Sequence, residues 1–172
     1  TFKCRTRSPW YRVPHVYLPD AFLTYMSGDL PRLVSNAAGV VAPNTLHILR
    51  IHRSAGIGSN ALAALWQTSL TRLSVEIEGH ALGGGMLKLE PTEAERVLVP
   101  ITPKKDNLEA LALELDQIAR SRGEEACVSH ADHSLLRRRL GLSVADVRLL
   151  CDSAALLRER RTSRSILDER RR

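Results

Sequence analysis

Gly83-Gly84-Gly85-Met86-Leu87-Lys88-Leu89-Glu90-Pro91 sets a backbone stripped of side-chain bulk before a short apolar strand that carries one lysine. Far upstream, Arg7-Ser8-Pro9-Trp10-Tyr11-Arg12-Val13-Pro14 places two aromatic rings and two arginines in a segment that reads as extended. Both shapes suit a nucleic-acid surface. A glycine turn feeding a strand, with alternating and helical stretches around it, predicts an α+β fold of mixed sheet and helix.

Working outward, Tyr11 to Tyr17 and Ala21 to Tyr25 look extended. Thr45 to His52 alternates Leu46, Ile48, Leu49 and Ile51 with His47, Arg50 and His52. Asn60 is placed to cap one helix in which Leu62, Leu65, Trp66, Ser69 and Leu73 recur at three- and four-residue spacing. A polar, glycine-rich loop follows from Glu78 to Gly85, and Met86 to Leu89 reads as a strand. Thr92 with Glu95 makes a capping box for one short helix, after which Val97-Leu98-Val99 reads as another strand.

From Asp106 the pattern is helical throughout. Asp106 caps a helix with Leu108, Leu111, Leu115, Ile118 and Ala119 on one face, and Gly123 stops it. A second helix carries Leu135, Leu136 and Leu140 and ends near Gly141. Ser143 with Asp146 opens a third, containing Val147, Leu150, Ala154 and Leu157. The charged run from Arg158 to Arg172 is expected to fray. Two regions result, residues 1–103 of mixed structure and a helical C-terminal extension over residues 104–172.

The net charge is +6 and aromatic residues make up only 4% of the chain. The basic excess is uneven. Up to Asn60 there are seven Lys or Arg against Asp20 and Asp29, whereas from Ala61 to Pro103 the count is three against five. A polyanionic partner follows from such a segment, unless it is simply a solvated basic face. Cys4, Cys127 and Cys151 are odd in number and widely spaced, which argues against a disulfide framework and for a reducing cytoplasm. No signal peptide is visible. The longest uncharged run, Ser54 to Thr71, is broken by Gly, Ser, Asn and Gln and reads as a soluble helix, not a membrane span.

Several chemistries lack their residues. The triple glycine is followed by no Gly-Lys-Ser/Thr, so it is not a phosphate-binding P-loop. Pro19-Asp20 with Glu76-Ile77-Glu78 lacks the lysine of a nuclease centre. Cys127, His130, Asp132 and His133 are of metal-ligating types, but no second cluster completes a four-ligand site, so no metal is expected.

The binding candidates each carry a plainer alternative. Trp10 and Tyr11 suit stacking on a base or packing as a local plug, and a split is expected, with one ring buried and the other at the surface. In a strand Arg5 and Arg7 would share a face that Arg12 does not. Asn44 has the side chain that reads adenine bidentately, though an Asx-turn entering the strand is the stronger reading. Gly84 and Gly85 either let the backbone approach DNA closely or supply positive φ; Lys88 just beyond favours the approach.

Taken in order, Arg7-Ser8-Pro9-Trp10-Tyr11, Pro31-Arg32-Leu33-Val34-Ser35-Asn36, Asn44-Thr45-Leu46-His47, Ser69-Leu70, Glu76-Ile77-Glu78-Gly79, Gly83 to Lys88 and Val99-Pro100 resemble a known family. It is the C-terminal, TaqI-like specificity domain of N6-adenine DNA methyltransferases, in the branch fused to restriction and phage-defence enzymes. The resemblance is close up to Pro100 and looser beyond. It implies a target-recognition domain that grips double-stranded DNA for a catalytic domain using S-adenosylmethionine. That catalytic half is expected upstream, because the chain has neither a Pro-Pro for an Asn/Asp-Pro-Pro-aromatic motif nor a glycine-rich cofactor turn, and opens at Thr1 within what reads as a strand. No catalytic residue and no cofactor are therefore expected in these residues. The expected DNA contacts are Arg5, Arg7, Trp10, Tyr11, Arg12, Arg32, Asn44, Gly84, Gly85 and Lys88. The helical tail offers a coupling surface for the catalytic domain or for a restriction or defence partner. The other reading is a pure protein-interaction module whose basic charge only solubilises it.

Overall fold

The period-2 pattern of residues 21–24 is the seed of the first sheet. In β1 (Ala21–Thr24) the side chains of Ala21 and Leu23 are buried and those of Phe22 and Thr24 face outward, half-buried. β1 is the centre of a three-stranded antiparallel sheet, flanked by β3 (Leu33–Ser35) and β4 (Leu46–Leu49). The register places Leu23 between Leu33 and His47, and Phe22 between Val34 and Ile48. The computed structural model describes residues 2–12, 16–101 and 107–169.

The inner face of this sheet packs on α2 (Ser59–Trp66) and α3 (Ser69–Glu78), where Ala21, Leu23, Leu33, Trp66, Val75, Leu87 and Leu89 form one core. Trp66 also donates its indole N–H to Pro31 O at 2.7 Å, so its one polar atom is satisfied where the ring is buried. The opposite side of α2 supplies Ala61, Ala64 and Leu65 to a second core with Leu108, Leu111 and Leu115 of α5 (Leu108–Arg122). Cys127 and Ala131 of α6 (Glu124–Ala131) and Leu135 of the following π-turn (Asp132–Arg137) complete it. A helix apolar on both sides is what a sandwiched position requires, and α2 joins the two regions through its two faces. The fold is α+β. A second antiparallel sheet, in the order β2 (Met26–Ser27), β6 (Leu87–Lys88), β5 (His80–Ala81), frames the glycine turn. Among the described residues no helix is long and apolar enough to cross a membrane.

Several expected elements take a different form. The chain begins in a single helical turn, α1 (Phe2–Arg5), not in a strand. Of the segment expected to be extended from Tyr11 to Tyr17, Tyr11 lies in a turn and residues 13–15 fall outside the described residues. The single helix from Asn60 is two. Gly58 occupies the N-cap of α2, and the chain breaks at Thr68, whose backbone is extended (φ −88, ψ 155) and whose hydroxyl accepts the Thr71 amide. A threonine hydroxyl serves better as a cap than inside a helix, and the Ser69 amide freed by the break donates to Asp132 Oδ1 at 2.8 Å.

The short helix α4 (Pro91–Ala94) uses Glu90 and Glu93 as its capping box instead of Thr92 and Glu95, because Pro91 holds its first position. Val97 to Val99 is no strand: Leu98 N donates to Ser74 Oγ at 2.9 Å, and Thr71 Oγ1 donates to Leu98 O at 3.0 Å. Hydroxyls of α3 thus take the backbone groups a sheet would have used. The Asp106 cap lies outside the described residues, and Asn107 at φ 60 precedes α5. Gly123 ends that helix at φ 86, and Ser143 with Asp146 forms the expected box.

The charged tail does not fray at Arg158. α7 (Val144–Glu169) carries it as helix along α3. Arg161 is the reason. Its side chain is 3% exposed and meets Glu76, 6% exposed, in a two-point contact, Nη2 to Oε1 at 2.8 Å and Nε to Oε2 at 3.0 Å. Its remaining Nη1 donates to the carbonyls of Gly85 and Gly28. Removing one member of a buried pair strands the other charge, at a cost of about 3–5 kcal/mol. Arg161→Ala is accordingly expected to lower the unfolding free energy by about that much in urea titrations, with Arg161→Lys recovering part of it.

Burial also pushes the Asp132 carboxyl up from its ordinary range, against the opposing bonds from Ser69 and Cys151. An acid whose folded pKa is raised contributes its stability fully below the unfolded value and loses it as pH rises through the folded value. Asp132→Asn keeps an acceptor for Ser69 N. The variant should match or exceed the parent's melting temperature at pH 7 to 8, with the difference shrinking toward acid.

Candidate nucleic-acid interface

The N-terminal aromatic and basic residues are held by local contacts. Thr6 Oγ1 donates back to Phe2 O at 3.2 Å, and Arg7 Nη1 donates to Arg12 O at 3.4 Å. Trp10 and Tyr11 meet edge to face with centroids 5.8 Å apart. Both rings are exposed, at 66% and 69%, so the expected split into one buried and one free ring does not occur. Two rings that satisfy each other edge to face need no core behind them. The strand pairing of Arg5 with Arg7 is also replaced, since Arg5 ends α1.

Asn44 and Thr45 are the exposed corner of a turn closed by the backbone bond from Leu46 N to Pro43 O at 3.3 Å, in place of an Asx-turn closed by the Asn44 side chain. Gly84 and Gly85 both have positive φ, 72° and 71°. Gly85 is buried and its carbonyl receives Arg161, whereas Gly84 is exposed with open space where a Cβ would project.

Lys88 has a carboxylate partner. Its Nζ lies 2.5 Å from Glu90 Oε1 and 5.0 Å from the centroid of the Tyr25 ring. The bond to Glu90, then the one to Tyr25, holds the ammonium well above the ordinary lysine range. Tyr25 donates its hydroxyl to Glu90 at 3.3 Å, and His47 stands edge-on to Tyr25 at 5.1 Å. His47 Nε2 is 2.7 Å from Leu89 O, so this nitrogen carries the proton. The four side chains form a knot between the two sheets, and they explain why His47, not Ile48, turns inward on β4.

The other face of the first sheet is different in kind. Cross-strand register assembles Arg32, Thr24 and Leu46 in one row and Val34, Phe22 and Ile48 in the next. Asn36, Asp20 and Arg50 continue it through Asn36 N to Asp20 O and Asp20 N to Leu49 O, each 2.9 Å. Arg50 lies 4.6 Å above the Tyr17 ring. Asp20 accepts the Ile51 amide at 2.7 Å. Arg50 and the apolar row were not among the expected contacts. The alternation of residues 45–52 pointed to a strand but not to which face would be left open.

Ion pairs are concentrated beyond residue 60. Arg72, Arg96, Arg120, Arg148, Arg158 and Arg161 each meet a carboxylate within 4.0 Å, as does Lys88. Among the described residues, Arg5, Arg7, Arg12, Arg32, Arg50 and Arg53 form no ion pair, as is also true of Arg122, Arg137, Arg138 and Arg160 farther on, and the only acids of the first segment are engaged, Asp20 with a backbone amide and Asp29 with Arg158. The metal-type residues do not converge. Cys127 is buried with its thiol 3.5 Å from Leu115 O, His130 pairs with Glu114 at 3.1 Å, and His133 is exposed.

Residues 1–136 match the family model of the C-terminal domain of the type II methyltransferase M.Eco57I, and the chain belongs to that family. The match covers both sheets and stops within the π-turn, leaving α7 beyond it. No curated protein and no solved structure gave a match.

The open space at Gly84 separates backbone strain from crowding. Gly84→Ala should cost roughly 1 kcal/mol through its left-handed φ alone. Thermal melts should show a fall of a few degrees, and a larger collapse would mean that the turn carries more than its backbone geometry.

Proposed function

We propose that this chain is the DNA target-recognition domain of an S-adenosylmethionine-dependent methyltransferase acting on the N6 amine of adenine. The recognition unit spans residues 1–103, braced by the helical extension over residues 104–172. Family membership supports the methyltransferase association. The observation that carries DNA binding is the set of arginines without an ion pair, Arg5, Arg7, Arg12, Arg32, Arg50 and Arg53, in a segment that holds only two acids, both engaged elsewhere. Unpaired guanidiniums match phosphate oxygens in geometry and charge. Phosphate contacts set the register on the duplex, and a few side chains read base edges. Methyl transfer and extrusion of the adenine belong to a catalytic domain that is the partner of this one. The cofactor supplies the methyl group there, and none of the residues described above is assigned to hold it. The helical extension is the coupling surface for that domain or for a restriction or defence subunit.

The reading is tested by fluorescence anisotropy on duplex DNA over a range of salt. If about four phosphates are contacted, log affinity should fall against log salt with a slope near −3.6. Calorimetry with S-adenosylmethionine should show no saturable binding to these 172 residues. A flat salt profile, or no binding at low salt, would favour the protein-interaction module instead.

A further inference from the structure

We propose that the outer face of the sheet β3-β1-β4 is the surface that lies along the sugar–phosphate backbone of the duplex, with Arg32 and Arg50 as its two phosphate clamps. The assignment rests on the DNA-binding reading above and says where on the domain the backbone runs.

One face of this sheet is covered by α2 and α3. The other leaves Val34 at 55% and Ile48 at 39% exposure, with Phe22 half-buried between them. An apolar row left open at the middle of a sheet marks a contact surface. The rim decides what it contacts. Arg32 stands at one end of β3 and Arg50 just past the opposite end of β4, diagonal corners separated by about 17 Å at ordinary strand spacing and rise.

Neither guanidinium is neutralised. Arg50 is propped on the Tyr17 ring at 4.6 Å, which orients its charge without cancelling it. The one carboxylate on the face, Asp20, is held by the Ile51 amide at 2.7 Å. Thr24 and Asn36 occupy the rows of the two arginines. A deoxyribose wall gives the Val34-Phe22-Ile48 row an apolar partner, and the phosphates on either side answer the corner arginines. An apolar protein patch would answer the row but leave both arginines without counter-charge. The face carries no bidentate base reader at its centre, so its part is to position the domain and leave sequence reading to other residues.

The test compares two unrelated duplexes bound by the full chain, with melting temperatures taken in parallel. Arg32→Gln and Arg50→Gln should each weaken both duplexes alike and shallow the salt slope by about 0.9, and the double variant by about 1.8. Val34→Glu, which sets a carboxylate against phosphates at an exposed site, should weaken binding at least tenfold with an unchanged melting temperature. Arg148→Gln, on α7 and paired with Asp152, serves as the control and should change nothing. If the parent chain binds with a steep salt slope and the sheet variants bind equally well, this surface is wrong while the DNA reading stands. Loss of association with a catalytic domain at unchanged DNA affinity also overturns the proposal and makes the face a protein-docking surface. A parent chain without salt-dependent binding removes the DNA reading and this proposal together.

Discussion

The guanidinium of Arg161 is the contact on which the arrangement of the domain depends. It grips Glu76 of α3 at two points and reaches the carbonyls of Gly85 and Gly28 with its third nitrogen. One side chain thereby ties α7 to α3, to the glycine turn and to the loop beyond β2. Withdrawing two charges from water is costly, and the attraction between them offsets that cost only when geometry is good and the remaining donors are satisfied. Both conditions hold here. The same contact explains the turn: with its carbonyl received by Arg161, Gly85 is buried, while Gly83 and Gly84 remain at the surface.

A second buried acid plays a related part without a cationic partner of its own. Asp132 in the π-turn accepts the Ser69 amide at the start of α3 and lies 3.6 Å from the Cys151 thiol of α7. The carboxyl therefore links three helices at the point where α2 and α3 part. Desolvation raises its pKa while the bonds it accepts pull the other way. Between them, Asp132 and Arg161 anchor the two ends of α3 against α7, and α7 lies outside the span matched by the family.

Charge is sorted along the chain by the same logic. Beyond residue 60 seven Lys and Arg side chains find acids within reach, some on the same helix, as in Arg120 with Asp116, and some across elements, as in Arg96 with Glu78, while Arg122, Arg137, Arg138 and Arg160 find none. The first sixty residues hold only two acids, so their arginines have little to pair with internally. Sheet register then gathers Arg32 and Arg50 around an apolar row, and the knot of Tyr25, His47, Lys88 and Glu90 takes the remaining predicted cation to a different place. The charge excess visible as composition becomes a surface only through the pairing of β1 with both its neighbours.

Local chemistry was legible in the sequence itself. The strand at Ala21, the stripe of Leu108, Leu111 and Leu115, the stop at Gly123 and the box of Ser143 with Asp146 each depend on residues a few positions apart, which fix φ, ψ and capping without outside help. The α+β class followed from the same periodicities, and the family motifs from their order. What escaped depends on partners far along the chain. The break at Thr68 is stabilised by Asp132, and Val97 to Val99 is diverted by hydroxyls of α3. Lys88 meets Tyr25 only across the two sheets, and the chain from Arg158 to Glu169 is helical because Arg161 finds Glu76 85 positions away. A buried charge or an open sheet face is set by what lies opposite it, and only the tertiary structure decides that.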